Sequence, residues 1–137
     1  MKTLQILLTV VCFVSIAAAA EIQTFRDALG RTAGTVTTNG GKTIYRDAQG
    51  RTTATSTVSG NITTYRDAAG RIIGTATQNG GKTIYRDALG RPVGTATQNG
   101  SKMVYRDYLG RPVGTATQNG GKTIYRDSSG RTQGTKR

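Results

Sequence analysis

Lys82-Thr83-Ile84-Tyr85-Arg86-Asp87-Ala88-Leu89-Gly90-Arg91-Pro92-Val93-Gly94-Thr95-Ala96-Thr97-Gln98-Asn99-Gly100 is the stretch that decides the fold. It contains two short runs, 82–87 and 91–98, rich in threonine, isoleucine, valine and tyrosine, which suit a pleated surface. Between them stands Asp87-Ala88-Leu89-Gly90. Aspartate at the first place of a type I turn bonds its own backbone, and glycine at the fourth supplies a left-handed conformation. After the second run comes Asn-Gly, a strong hairpin signal because both residues tolerate positive φ. Glycine is too frequent for helix, and no segment after residue 21 has helical periodicity.

The same pattern extends in both directions with a strict period of twenty. An aromatic residue followed by Arg-Asp recurs at Phe25, Tyr45, Tyr65, Tyr85, Tyr105 and Tyr125, and Gly-Arg follows at Gly30-Arg31, Gly50-Arg51, Gly70-Arg71, Gly90-Arg91, Gly110-Arg111 and Gly130-Arg131. Self-similarity at this spacing is the mark of a stacked repeat. The units are 25–44, 45–64, 65–84, 85–104 and 105–124, with a partial unit at 125–137, and 21–137 reads as one repeat domain. Unit 45–64 diverges most, with Ala54 where most units have glycine and Ser59-Gly60-Asn61-Ile62 in place of Asn-Gly-Gly-Lys. Asn61-Ile62-Thr63 has the form of a glycosylation sequon.

An all-β fold of tandem hairpins is therefore expected. The arrangement favoured is an extended, open antiparallel meander; the alternative is a β-solenoid with one unit per coil. A solenoid would stack Arg46, Arg66, Arg86, Arg106 and Arg126 about 4.8 Å apart, whereas a meander holds equivalent arginines roughly 9–10 Å apart. If Asn79-Gly80 is a two-residue loop, successive tyrosines alternate faces; if Asn79-Gly80-Gly81 is a three-residue loop, they share one face, since a one-residue slip flips every side chain. With so few large apolar residues per unit the core would be thin, and the end strands would be open to pairing with another copy.

Residues 1–20 differ from the rest. Lys2 precedes an apolar run from Leu4 to Ile16, followed by Ala17-Ala18-Ala19-Ala20. This is the pattern of a signal peptide cleaved before Glu21, and the run is too short to span a membrane. A secreted protein is expected, periplasmic or extracellular, with no transmembrane segment after cleavage. Cys12 lies in the leader, so no disulfide would staple the remainder.

From residue 21 on, the chain keeps 18 of the 19 basic residues and all 7 acidic ones, a formal charge of +11. Such a balance attracts anionic partners: an anionic glycan, lipopolysaccharide, teichoic acid or nucleic acid. It also serves solubility. The residues expected to meet a polyanion are Arg46, Arg66, Arg86, Arg106 and Arg126, with Lys82, Lys102 and Lys122. Asp47, Gly50, Arg51, Asp67, Gly70, Arg71, Asp87, Gly90, Arg91, Asp107, Gly110 and Arg111 are assigned to the turns, with each aspartate facing the following arginine across the hairpin as an ion pair.

Histidine is absent from the whole chain, cysteine from residue 21 on, and Glu21 is the single glutamate. Histidine–thiolate metal sites, cysteine nucleophiles and serine–histidine dyads are thereby excluded. Each aspartate sits beside arginine, which holds it ionised and unsuited to general-acid work. No catalytic residue, metal site or cofactor is expected. The leading function is an extracellular or cell-surface interaction module for polyanions, with which a host-contact or virulence role is compatible. One alternative is a self-assembling matrix or fibre subunit. Another is ice binding through Thr35/Thr37, Thr55/Thr57, Thr75/Thr77, Thr95/Thr97 and Thr115/Thr117, which requires these pairs to stack on a flat face.

Tyr85-Arg86-Asp87-Ala88-Leu89-Gly90-Arg91 resembles the bacterial YD (RHS-type) repeat, in which Tyr-Asp-x-x-Gly-Arg recurs on β-hairpins; here arginine separates the aromatic residue from the aspartate. The alternation of Asn-Gly-Gly-Lys with an aromatic strand is more distantly similar to the choline- and glucan-binding hairpin repeats of bacterial surface proteins, which carry several aromatic residues per unit where this chain has one. Both resemblances imply a bacterial, extracytoplasmic β-repeat protein.

Overall fold

The computed structural model describes residues 21–137, and the leader read at 1–20 lies outside the described residues. Those residues form twelve strands and no helix. In chain order they are β1 (Glu21–Asp27), β2 (Thr32–Asn39), β3 (Lys42–Asp47), β4 (Thr52–Ser59), β5 (Ile62–Asp67), β6 (Ile72–Asn79), β7 (Lys82–Asp87), β8 (Pro92–Asn99), β9 (Lys102–Asp107), β10 (Pro112–Asn119), β11 (Lys122–Asp127) and β12 (Thr132–Lys136). Every strand pairs antiparallel with its neighbours in sequence, as in a meander.

The sheet is not open, however, and it is not a solenoid. β12 returns to pair with β1, matching Phe25 with Lys136, Arg26 with Thr135 and Asp27 with Gly134, and the result is a closed barrel. Thr24 and Arg137 extend the seam by exchanging backbone hydrogen bonds of 2.9 and 3.2 Å. The free end strands expected from the sequence are therefore absent, since closure removes sheet edges.

Closure follows from a small register advance repeated six times. Going from β1 through β2 to β3, Phe25 is level with Gly34 and Gly34 with Asp47, two residues further along the repeat than the equivalent Tyr45. Each hairpin adds the same two residues, so the six hairpins give a shear of twelve for twelve strands. Equal strand number and shear, the ratio found in the eight-stranded α/β barrel, sets the strand tilt near ~36°. Twelve strands enclose a lumen about half as wide again as eight, which small side chains cannot fill.

Tyrosine fills it. Tyr45, Tyr65, Tyr85 and Tyr105 are buried on the inner face, with Phe25 and Tyr125 partly buried. All therefore share one face. Tyr65, Tyr85, Tyr105 and Tyr125 lie between small partners: Tyr85 is level with Ala76 on β6 and with Gly94 on β8, and Tyr105 with Ala96 and Gly114, whereas Tyr45 meets Val36 and Phe25 meets Lys136. Large and small alternate around the wall, so the rings interleave. The residues of one cluster are Tyr65, Ala76, Tyr85, Ala96, Tyr105 and Ala116; Val36, Tyr45 and Ala54 form a second beside Phe25.

The two turn types divide the labour. At the Asp-x-x-Gly turn, Gly90 N–H donates to Asp87 O at 3.0 Å and Asp87 N–H to Arg91 O at 2.9 Å, with Gly90 at φ +81°. This is a type I turn closed by a left-handed glycine. A bulge follows in the second strand: Tyr85 pairs with Gly94 but Arg86 with Pro92, which leaves Val93 extra and packs it on the core. At the other turn Asn79 pairs with Lys82, so the loop is Gly80-Gly81, one residue later than the Asn79-Gly80 loop considered above and shorter than the three-residue one. Gly80 has φ +57°, as the first central residue of a type II′ turn requires.

Candidate functional site

All six Asp-x-x-Gly turns lie at one end of the barrel, because each joins an odd strand to the next even one. Their chemistry is built around aspartate. Asp87 Oδ1 accepts from the backbone N–H groups of Leu89 and Arg91, both at 2.9 Å, and Oδ2 accepts from Arg91 Nε at 2.7 Å. The corresponding Arg–Asp contacts are 2.8 Å at Arg31–Asp27, Arg51–Asp47 and Arg71–Asp67, and 2.7 Å at Arg111–Asp107. At the last turn Asp127 keeps the two backbone donors, while Gln133 Nε2 reaches Oδ2 at 3.0 Å.

At Asp27, Asp47, Asp67, Asp87 and Asp107 these contacts favour the ionised carboxylate. The Arg91 backbone N–H, with its guanidinium, holds the Asp87 carboxyl below the ordinary carboxylate range against the opposing effect of burial. For Asp27 the Arg31 guanidinium is the leading cause. At Asp107 burial pushes upward most strongly, and the donors of Arg111 together outweigh it.

The structure brings a second arginine series to the same rim. Arg46, Arg66, Arg86, Arg106 and Arg126 pair in register with Thr35, Thr55, Thr75, Thr95 and Thr115, on the face opposite the tyrosines. Arg66 Nη1 donates to Gly70 O at 3.1 Å and Arg106 Nη1 to Gly110 O at 3.0 Å, which folds both guanidiniums over the turn. Arg46 Nη1 instead donates to Thr37 Oγ1 at 3.3 Å. Every hairpin thus presents two arginines and one aspartate at this end, a surplus of one positive charge repeated around the ring. The turn arginines remain open to solvent: their side chains are 70–81 % exposed at Arg31, Arg51, Arg71, Arg91 and Arg111.

Sequence reasoning separated these two series into binding and structural residues, yet they occupy one rim. It also passed over Arg26, Arg31 and Arg131, although each stands in register with a chosen residue; Arg26 Nη1 donates to Gly30 O at 3.0 Å as Arg66 and Arg106 do in their turns. The lysines are not brought to this rim. Lys82, Lys102 and Lys122 begin their strands at the opposite end, four residues or about 13 Å from the arginine of the same strand.

Inside the arginine-rich mouth lies a cavity of about 450 Å³, lined by Phe25, Tyr105, Tyr125, Val113, Asp27, Asp127 and Gln133 among others. The bulge positions explain where it opens. Ile73, Val93 and Val113 pack on the core, but the matching positions near the seam are the short Ala33 and the polar Gln133, which turns to Asp127. At the seam the inner position taken by Ala76, Ala96 and Ala116 is held by Lys136, 7 % exposed and level with Thr123 and Phe25.

The threonine pairs Thr35/Thr37 through Thr115/Thr117 face outward on alternate strands of a convex wall. They do not stack into the flat face that coiling would have produced.

No family model matches the chain, and no curated relative matches it. Among solved structures, the crystal structure of a GtfA/B complex bound to UDP and GlcNAc is similar at a TM-score of 0.25 and 13 % identity. The match covers 88 % of this chain and 24 % of that one, so this chain spans about a quarter of that protein's length, and a likeness of this size carries no inference about fold or activity.

Proposed function

We propose that this chain is a secreted, non-catalytic β-repeat barrel that acts as an extracellular or cell-surface interaction module for anionic polymers or surfaces. The observation that carries the reading is the rim: twelve arginines against six aspartates, gathered at one end by the turn geometry. Five aspartates are already occupied by turn N–H groups and the following guanidinium, and Asp127 by turn N–H groups and Gln133, which leaves an excess of guanidinium charge at the rim. Repeated weak contacts on a rigid ring raise avidity by about 10²–10⁴ when the partner is a polymer that meets several at once. Arginine suits this task because its planar fork pairs with phosphate, sulfate or carboxylate through two donors.

The barrel is also inside-out relative to one that spans a membrane. Its lumen holds tyrosine and alanine, its outer wall threonine, arginine and lysine with one row of Ile44, Ile84, Val104 and Ile124 among them, and its strands are five to eight residues long against the about 9–11 that a spanning strand needs. That pattern supports contact with a partner in water or at a surface. The fibre alternative drew on the near-identical repeats and on exposed sheet ends; the closed barrel lacks the second of these. Ice binding lacks the flat threonine face it calls for.

The test is retention on immobilised heparin and lipopolysaccharide at rising salt. The expected result is elution well above ~0.1 M with a steep salt slope, because each displaced phosphate-type contact adds to it. Elution at or below that salt would contradict the reading. Arg→Gln replacement at 46, 66, 86, 106 and 126 is expected to shift elution to low salt with the barrel intact.

A further inference from the structure

The rim that carries the arginines also carries four of the five most exposed large apolar side chains of the barrel; the fifth, Ile22 at 70 %, lies at the opposite rim. Leu29 is 76 % exposed, Leu89 77 %, Tyr108 69 % and Leu109 60 %, and all four occupy the two central places of Asp-x-x-Gly turns. Ile72, 47 % exposed, follows a turn arginine at the same end. The opposite rim has Asn-Gly-Gly-Lys-type loops and exposes Ile22 and Ile62. Central turn positions need no apolar residue for folding: Gln49, Ala69 and Ser129 occupy the same place as Leu29, Leu89 and Leu109, and the turn hydrogen bonds are the same. The leucines are therefore not explained by the fold.

Their distribution is informative. The turns of Leu29 and Leu89 stand opposite each other across the mouth, three hairpins apart, and Tyr108-Leu109 is on the turn next to Leu89. Tips on three separate turns define a plane across the end of the barrel. The same turns carry Arg31, Arg91 and Arg111, whose side chains are 70–73 % exposed. Apolar tips on a rim that carries one surplus positive charge per turn match the interfacial layer of an anionic bilayer, in which apolar side chains enter the acyl boundary and arginine meets phosphate. A soluble polyanion would use the arginines and leave the leucines in water.

We infer that the barrel stands mouth-down on anionic phospholipid surfaces, with Leu29, Leu89, Tyr108 and Leu109 inserted and the surrounding arginines bound to lipid phosphates. This rests on the rim being the contact surface, and adds that its partner is a lipid surface.

The test uses the protein with vesicles of phosphatidylglycerol and phosphatidylcholine in equal parts, and with phosphatidylcholine vesicles as control. Cosedimentation with the anionic vesicles alone is expected. Combined Leu29→Ser, Leu89→Ser, Tyr108→Ser and Leu109→Ser is expected to weaken it at least about tenfold through the lost apolar burial, while heparin retention is unchanged. An unchanged far-ultraviolet circular dichroism spectrum and unfolding midpoint report that the variant is folded. Because the chain has no tryptophan, Tyr108→Trp supplies a single reporter whose emission should shift to the blue with anionic vesicles and stay unchanged with heparin. A serine variant that binds vesicles as tightly as the parent, or an unshifted Tyr108→Trp emission on vesicle-bound protein, would overturn the lipid inference. Heparin retention without vesicle binding would do the same and leave the polyanion reading standing; loss of both would remove that reading as well.

Discussion

Tyr85 and Gly94 lie level with each other on the inner wall, and a methyl group at Gly94 would sit 2.6 Å from the carbonyl oxygen of Arg106 on the far side. The bulge beside Val93 draws the three strands together at this point, so the glycine serves close backbone approach while the tyrosine ring covers it. The same clash recurs at Gly74 with Arg86 O and at Gly114 with Arg126 O, and Gly134 repeats it with Arg26 O across the seam. Gly94→Ala is expected to destabilise the barrel by about 1–3 kcal/mol through overpacking against backbone. Ala54 shows that a single hairpin can absorb the methyl, so Gly94→Val should cost clearly more. Equal denaturation midpoints for Gly94→Ala, Gly94→Val and the parent would contradict this account.

The neighbouring glycines of the other turn should behave differently from each other. Gly80 sits at φ +57°, where an added Cβ meets nothing but is strained by the backbone itself. Gly80→Ala is expected to cost about 1–2 kcal/mol. Gly81 has no such conformation, and its place is taken by Asn61 and Ser101 in other units. Gly81→Ala should fall within about 0.5 kcal/mol of the parent. Denaturant unfolding of the two single variants measures the contrast.

Acid should unfold the barrel from the aspartate turns. The folded-state values of Asp27, Asp47, Asp67, Asp87 and Asp107 lie below the ordinary 3.8. Their contribution is thus present above that pH and lost as pH falls through the lowered values, as turn amides and arginines lose a charged acceptor. Thermal stability is expected to hold down to the ordinary carboxylate range and decline below it. Asp87→Asn, which keeps an oxygen for the turn amides, should flatten the acid limb slightly, and Asp87→Ala should lower stability at neutral pH as well.

Alkali should act from the lumen. Burial, with the neighbouring Tyr45 and Tyr85, pushes the Tyr65 phenol far above its ordinary 10.0. A raised folded-state value means full stability below the ordinary value and progressive loss as pH rises past it. Tyrosinate absorbance from Tyr65 is expected to appear only with unfolding, and Tyr65→Phe should retain more of its stability at high pH than the parent does. Identical alkaline limbs would contradict the buried placement.

Much of the local fold was legible in the repeat. Asp87-x-x-Gly90 names its turn because both residues are demanded by hydrogen bonding and φ, and the runs on either side are strands for ordinary packing reasons. Barrel closure was not legible. It arises from two residues of register per hairpin, produced jointly by the bulge at Val93 and the Gly80-Gly81 loop, and neither is apparent until both are placed. Glu21 and Phe25 set Glu21–Asp27 apart from the other strands of its type, but neither change signals that this strand meets the far end of the chain. The arginine rows could be read from the period, but their meeting on one rim depends on the hairpin setting Arg86 and Arg91 on either side of the same turn. Lys136 was out of reach for the opposite reason: a lysine reads as exposed, and here the closing strand places it in the inner ring that Val36, Ser56, Ala76, Ala96 and Ala116 otherwise line.

The central claim is closure, and the distance across the seam tests it most directly. Arg26 and Thr135 are register partners on the outer face of β1 and β12. Cysteine at these two positions, in a chain from residue 21 on that has no other cysteine, allows paired spin labels and a distance measurement. The barrel places the two backbones about 5 Å apart, so a short, narrow distribution set by the label arms is expected. An open twelve-stranded sheet would place them eleven strand spacings apart, about 50 Å, and a distribution near that value would contradict the account.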